Sequence, residues 1–182
     1  LDLIRPTLPS NINMFVGYDQ SIFVNESIYE VRFALLISIL MVIGVIYFFL
    51  SSPAATFIPA ITIPVSLIST FLAIYFFDFS INLFTLMALV LAIGIVVDDA
   101  IVMLENIVRR MEMGETALVA AYKGSKQVSF AIIATTLVLV AVFIPLVFIK
   151  GLSGVLYTQT AVTLSAAVII SSFVALSLSP MI

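Results

Sequence analysis

Five apolar runs, each long enough to cross a bilayer, decide what this chain can fold into. They cover about 33–50, 54–77, 81–107, 127–149 and 155–181. A hydrocarbon core about 30 Å thick takes roughly 20 helical residues. The runs are continuously apolar, whereas barrel strands would alternate over about ten residues. The sequence therefore predicts an all-α polytopic membrane protein with five transmembrane helices. Composition closes the soluble route: 63% of the residues are hydrophobic and 9% charged, against about 25% charged in a soluble domain.

The connections are short: Ser51–Ser52–Pro53, Asp78–Phe79–Ser80, and Lys150 to Gly154. One is longer, about 108–126, and holds Arg109, Arg110, Lys123 and Lys126, four of the chain's seven basic residues. By the positive-inside rule this loop faces the cytoplasm, and residues 1–27 lie on the other side. Within the loop, Glu115 to Gln127 places Leu118, Val119 and Tyr122 at helical spacing, which suits a short interfacial helix or an ordinary connecting one. Before the first span, Pro6, Pro9, Asn11 and Asn13 punctuate the chain, and Ile12–Asn13–Met14–Phe15–Val16 reads as a weak strand. So short a stretch makes no core of its own. The expected layout is 1–27 as the trailing edge of a soluble domain, then a transmembrane domain over 28–182. A start at Leu1 rather than Met, with no signal-peptide pattern, leads us to expect an excerpt of a longer protein.

The third run contains Asp98 and Asp99. Between the polar markers Asn82 and Arg109 its midpoint falls near residue 95 or 96, and a rise of 1.5 Å per residue puts Asp98 about 4 Å past it. A carboxylate near the bilayer centre costs at least about 2.5 kcal/mol. Neighbours on a helix point about 100° apart, so the two must face other helices or a water-filled cavity. Desolvation disfavours the ionised form, and adjacent acids titrate as a coupled pair. A site that alternates between a paired, ionised state and a free, protonated one can carry protons across a membrane, driven by about 2.3 kcal/mol per charge per 100 mV. No Lys or Arg occurs within the five spans, so the expected cationic partner lies elsewhere.

Supporting positions are read from spacing. Gly94, one turn before Asp98, is expected to let a neighbouring helix come close, and Ala88, Ala92 and Ala100 add small side chains. Glu105 and Asn106, seven residues beyond the pair, line a cytoplasmic exit or merely form a solvated helix end. Ala161, Ser165, Ser172, Ala175 and Ser179 make a small-residue stripe for helix packing. Thr135 and Thr136 bond either to the aspartates or to their own helix. Pro59, Pro64 and Pro145 are expected to kink helices. With no His and no Cys, zinc, haem and iron–sulfur sites lose their usual ligands, and a net charge of -3 without a basic run gives no nucleic-acid partner.

The run Gly94–Ile95–Val96–Val97–Asp98–Asp99–Ala100–Ile101–Val102–Met103–Leu104–Glu105–Asn106–Ile107 resembles the fourth transmembrane helix of resistance–nodulation–division efflux pumps. The resemblance continues in Phe79–Ser80–Ile81–Asn82, Phe143–Ile144–Pro145, Gly151–Leu152–Ser153–Gly154 and Leu178–Ser179–Pro180. It implies family helices two to six, preceded by a short β-type periplasmic segment. It further implies a homotrimeric, proton-driven pump of a Gram-negative inner membrane, with a periplasmic adaptor and an outer-membrane channel as partners. Asp98 and Asp99 map onto the family's proton-relay carboxylates, whose basic partner sits on a helix of the pump's second half. Protons are then the coupling ion, with no other cofactor and no metal. Asp99, where the heavy-metal branch usually has alanine, favours the hydrophobe/amphiphile branch.

The alternatives are a metal-ion or other-substrate exporter of the same family, a non-transporting sensing or assembly module, and an intramembrane aspartyl protease. The last needs two carboxylates facing each other from different elements. Adjacent acids on one helix do not supply that, and no other span carries an acid.

Overall fold

Five helices are present among the described residues of the computed structural model, which describes residues 19–50 and 53–181. They are α1 (Gln20–Leu50), α2 (Pro53–Phe76), α3 (Leu83–Glu112), α4 (Ala117–Val147) and α5 (Leu152–Ser177). Each contains a segment long and apolar enough to cross a membrane. The strand expected over 12–16 lies outside the described residues.

Two boundaries differ from the sequence expectation for one reason: charge marks where lipid ends, not where a helix ends. Residues 20–27, assigned above to a preceding soluble segment, are the first turns of α1. The expected 108–126 loop is almost entirely helical. Helix α3 continues to Glu112 and α4 starts at Ala117, so only the turn Met113–Thr116 separates them. The stretch from Glu115 therefore forms no separate interfacial helix. What stops α3 is Gly114, whose φ of 90° closes a turn in which Glu115 N–H donates to Arg110 O (3.3 Å) and Gly114 N–H to Met111 O (3.0 Å). Helix α2 ends in the same way with Asp78 in the left-handed position (φ 54°), Phe79 N–H donating to Ile74 O at 3.0 Å. Helix α3 then opens on Asn82, whose side chain accepts from the N–H groups of Phe84 and Thr85 while Thr85 Oγ1 accepts from the Asn82 N–H. Helix α2 runs on through Pro59 and Pro64, and α4 through Pro145.

Lipid gives helices no hydrophobic reason to associate, so they are held by close packing and interhelical hydrogen bonds. Helix α3 uses both and touches each of the other four. Its Ala88, Ala92 and Val96 pack against Leu164 and Ala167 of α5, all five buried. On another side Leu86, Leu89, Ile93 and Val97 meet Ile63, Leu67 and Ile74 of α2 and Val31 and Ile46 of α1. Towards α4, Met103 and Ile107 meet Ala120 and Ile132. Gly124 permits that contact, since a Cβ there would lie 3.0 Å from Ile107 Cγ1 and 3.2 Å from its Cα. Of the expected α5 stripe, Ala161, Ser172, Ala175 and Ser179 are buried and Ser165 is half-buried.

Candidate functional site

Thirteen residues of α3 are buried, and the stripe they leave bare is Phe84, Met87, Leu91, Gly94, Asp98, Val102, Glu105 and Arg109. Their spacing of three and four keeps them on one face. Asp98 sits midway along this stripe and is exposed; Asp99, 100° round the helix, is half-buried. Asp98 is the one polar side chain in an open-sided groove of about 530 Å³ between α1, α3 and α4, lined also by Met41, Val45, Ile46, Gly94, Ile101 and Leu139. Neither carboxylate makes a hydrogen bond or ion pair among the described residues. Two acids midway along a partly bare helix, with no partner among the described residues, would need protons or cations from elsewhere if they lie in lipid.

The structure separates the supporting residues. Gly94 is not a point of helix contact here. It lies on the bare stripe, and a Cβ there would meet nothing within 4 Å. Glu105 is exposed on the same face. Asn106 is not a solvated helix end. It is buried, donates from Nδ2 to Gly124 O at 2.8 Å, and accepts from Arg109 Nη2 at 2.7 Å. Thr135 and Thr136 bond back to their own helix, both donating to Ile132 O, at 2.9 and 2.8 Å. No cluster suited to a metal occurs among the described residues.

The basic end of the α3–α4 hairpin is internally tied. Glu115 accepts from Lys123 Nζ at 2.8 Å and from Arg110 Nη1 at 3.2 Å, and Arg110 Nη2 donates to Gln127 Oε1 at 2.9 Å. The hydrogen bond from Lys123 holds the Glu115 carboxyl below its ordinary value, with help from Arg110. The tie is therefore complete above the ordinary glutamate range and is lost as pH falls through the lowered value. Asn106 is the buried member of this end. Replacing it by Ala leaves Arg109 unpartnered there and is expected to cost about 1–2 kcal/mol. A lower melting temperature in detergent and faster hydrogen exchange at the start of α4 would show it; unchanged values would mean the bonds to Gly124 and Arg109 contribute nothing.

Spacing did not single out Ser171 or Gln159, yet they tie α5 to α3. Ser171 Oγ donates to Val96 O at 2.7 Å, and Asn82 Nδ2 donates to Gln159 Oε1. The available signal was the doublet Ser171–Ser172, of which the other member lay in the stripe.

Five helices long and apolar enough to cross a membrane, with two adjacent acids midway along α3 and unpaired among the described residues, define the class as a multi-pass membrane protein. The profile of the AcrB/AcrD/AcrF family matches residues 1–182, and the chain belongs to that family of resistance–nodulation–division transporters. It is 48% identical over 178 residues to multidrug resistance protein MdtC of Escherichia coli O139:H28, a match covering 98% of this chain and 17% of the relative. It is 46% identical over 181 residues to the MdtC proteins of Yersinia enterocolitica and Yersinia pseudotuberculosis, covering 100% of this chain and 18% of each relative. The chain thus spans less than a fifth of the length of these curated relatives.

Proposed function

We propose that this chain is part of the transmembrane domain of a proton-driven exporter of hydrophobic or amphiphilic compounds, in which Asp98 and Asp99 carry the coupling protons. One observation supports this most: two carboxylates at mid-depth, unpartnered among the described residues, one of them on the uncovered stripe of α3. The relatives' printed names, multidrug resistance proteins, support drugs as the exported class. A basic residue from the rest of the transporter covers the stripe in one state and leaves it in another. Protonation accompanies its departure, because an unpaired ionised acid at this depth is the costlier form. The basic end of the α3–α4 hairpin, with Arg109, Arg110, Lys123 and Lys126, faces the cytoplasm of an inner membrane. The working assembly is a homotrimer with a periplasmic adaptor and an outer-membrane channel.

Energy coupling tests the proposal. In cells carrying the complete transporter, a protonophore is expected to stop export at once, with ATP depletion acting only after the proton gradient decays. Export that outlives the gradient and stops with ATP would contradict it.

A further inference from the structure

We infer that Ser171 is a positioning residue for the carboxylate pair: its hydroxyl holds α3 in the rotation that turns Asp98 into the groove between α1 and α4. The functional consequence rests on the proton-carrying reading above; the positioning itself does not.

The Ser171 hydroxyl is fully buried and donates across the helix boundary to Val96 O. Several other hydroxyls in the bundle close back on their own helices: Thr62 on Ile58, Thr70 on Ser66, Thr136 on Ile132 and Thr160 on Leu156. Ser171 spends its proton on α3 instead, two residues before Asp98. At about 100° per residue, Val96 and Asp98 lie roughly 200° apart, on opposite sides of the helix. A bond anchoring the far side therefore fixes where the near side points. The helix carbonyl of Val96 also points along the axis towards the turn that contains Asp98, Asp99 and Ala100.

The hydrogen bond acts together with the surrounding packing, in which Val96 meets Leu164 and another side of α3 meets α1 and α2. Ala88, Ala92 and Ala167 bring the two helices close, which puts the Ser171 hydroxyl within reach of the α3 backbone. Other side-chain bonds from α3 and its cap to α4 and α5 among the described residues lie at the helix ends: Asn82 to Gln159 at one, and Asn106 to Gly124 and Arg110 to Gln127 at the other. Ser171 supplies the tie at the depth of the acids. No competing charge orients Asp98 among the described residues. The groove side chains from α1 and α4 are apolar, α2 and α5 contain no Asp, Glu, Lys or Arg, and α3 adds only Asp99 nearby and Glu105 two turns on.

The test reads the direction of Asp98 chemically. In membranes containing the full-length transporter, dicyclohexylcarbodiimide, a lipid-soluble reagent for protonated carboxyls, is added, and modification of Asp98 is located by fragmentation mass spectrometry. Ser171→Ala is expected to change the modification rate at Asp98 by about fivefold, the worth of one buried hydrogen bond. Ser171→Cys, near in size and still a weak donor, should fall between Ser171→Ala and the parent. Ser172→Ala, at a buried neighbour that makes no bond to α3, should match the parent. Equal rates in Ser171→Ala, Ser171→Cys and the parent would overturn the inference. Should Ser171→Ala fail to accumulate, the cysteine variant carries the same comparison. Failure of the proton-carrying reading shows differently, as undiminished export by Asp98→Asn, and leaves the labelling comparison intact.

Discussion

Asp98→Asn and Asp99→Asn are each expected to reduce export by the complete transporter to the level of cells without it, while folding at least as well as the parent. Asparagine keeps the shape and most of the hydrogen-bonding capacity of aspartate but holds no exchangeable acid proton. It also removes the cost of placing a carboxylate at mid-depth, about 2.5 kcal/mol or more. The two effects point in opposite directions, which separates this prediction from a purely structural role. If the acids served packing, their loss would lower stability and function together. Neither makes a bond that the substitution would break among the described residues. Drug accumulation in cells and thermal unfolding of the purified variants read the two quantities. Loss of export with an unchanged or raised melting temperature is the expected pair; retained export, or parallel loss of both, would contradict the account.

Gly154→Ala is expected to be the most damaging glycine-to-alanine change among the described residues. A Cβ built on Gly154 would stand 1.9 Å from the Ile149 carbonyl oxygen and 2.7 Å from its carbonyl carbon. The obstacle is backbone, so no rotamer change relieves it. The turn itself is held by Gly151, whose φ of 94° leaves little freedom to adjust. Over-packing of this kind costs about 1–3 kcal/mol and occasionally more. The strain falls on the start of α5, the helix that meets α3 at Gln159 and Ser171. Gly44→Ala is the opposite case: nothing lies within 4 Å of its Cβ position inside α1, and a gain of about 0.5–1 kcal/mol is expected from the helix preference alone. Melting temperatures of the two variants in detergent should move in opposite directions. A neutral Gly154→Ala would mean that the α4–α5 turn is looser than its geometry.

Helix number and the location of the acid pair were legible in the sequence because both follow from how expensive polar groups are in lipid. Apolar length gave five helices, and counting between Asn82 and Arg109 put Asp98 and Asp99 near the middle of the third, where α3 holds them. Helix ends were less legible. Arg109 and Arg110 end the apolar run, yet arginine, methionine and glutamate favour helix, so α3 continues until Gly114 turns it. The resemblance to efflux pumps was legible in the motif around the acids and agrees with the family match over the whole chain. Rotation of helices was not legible. Gly94 and Ala92 are both small residues on α3, but Ala92 meets α5 while Gly94 faces outward. Period alone shows that residues share a face; which neighbour that face meets depends on partners far along the chain. Asn106 shows the same limit. Its position near charged residues suggested solvent, and only the return of α4 through Gly124 buries it. Ser171 and Ser172 differ by one step, and only the packed bundle distinguishes the hydroxyl that crosses to α3.

Proton entry into liposomes containing the complete transporter tests the central claim most directly. An internal pH dye records flux after addition of an exported drug under an imposed proton gradient, for the parent and for Asp98→Asn and Asp99→Asn. Drug-dependent proton movement in the parent and none in either variant is the predicted result. The same drug-dependent flux in all three proteins would mean that the acids in the middle of α3 do not carry the coupling proton.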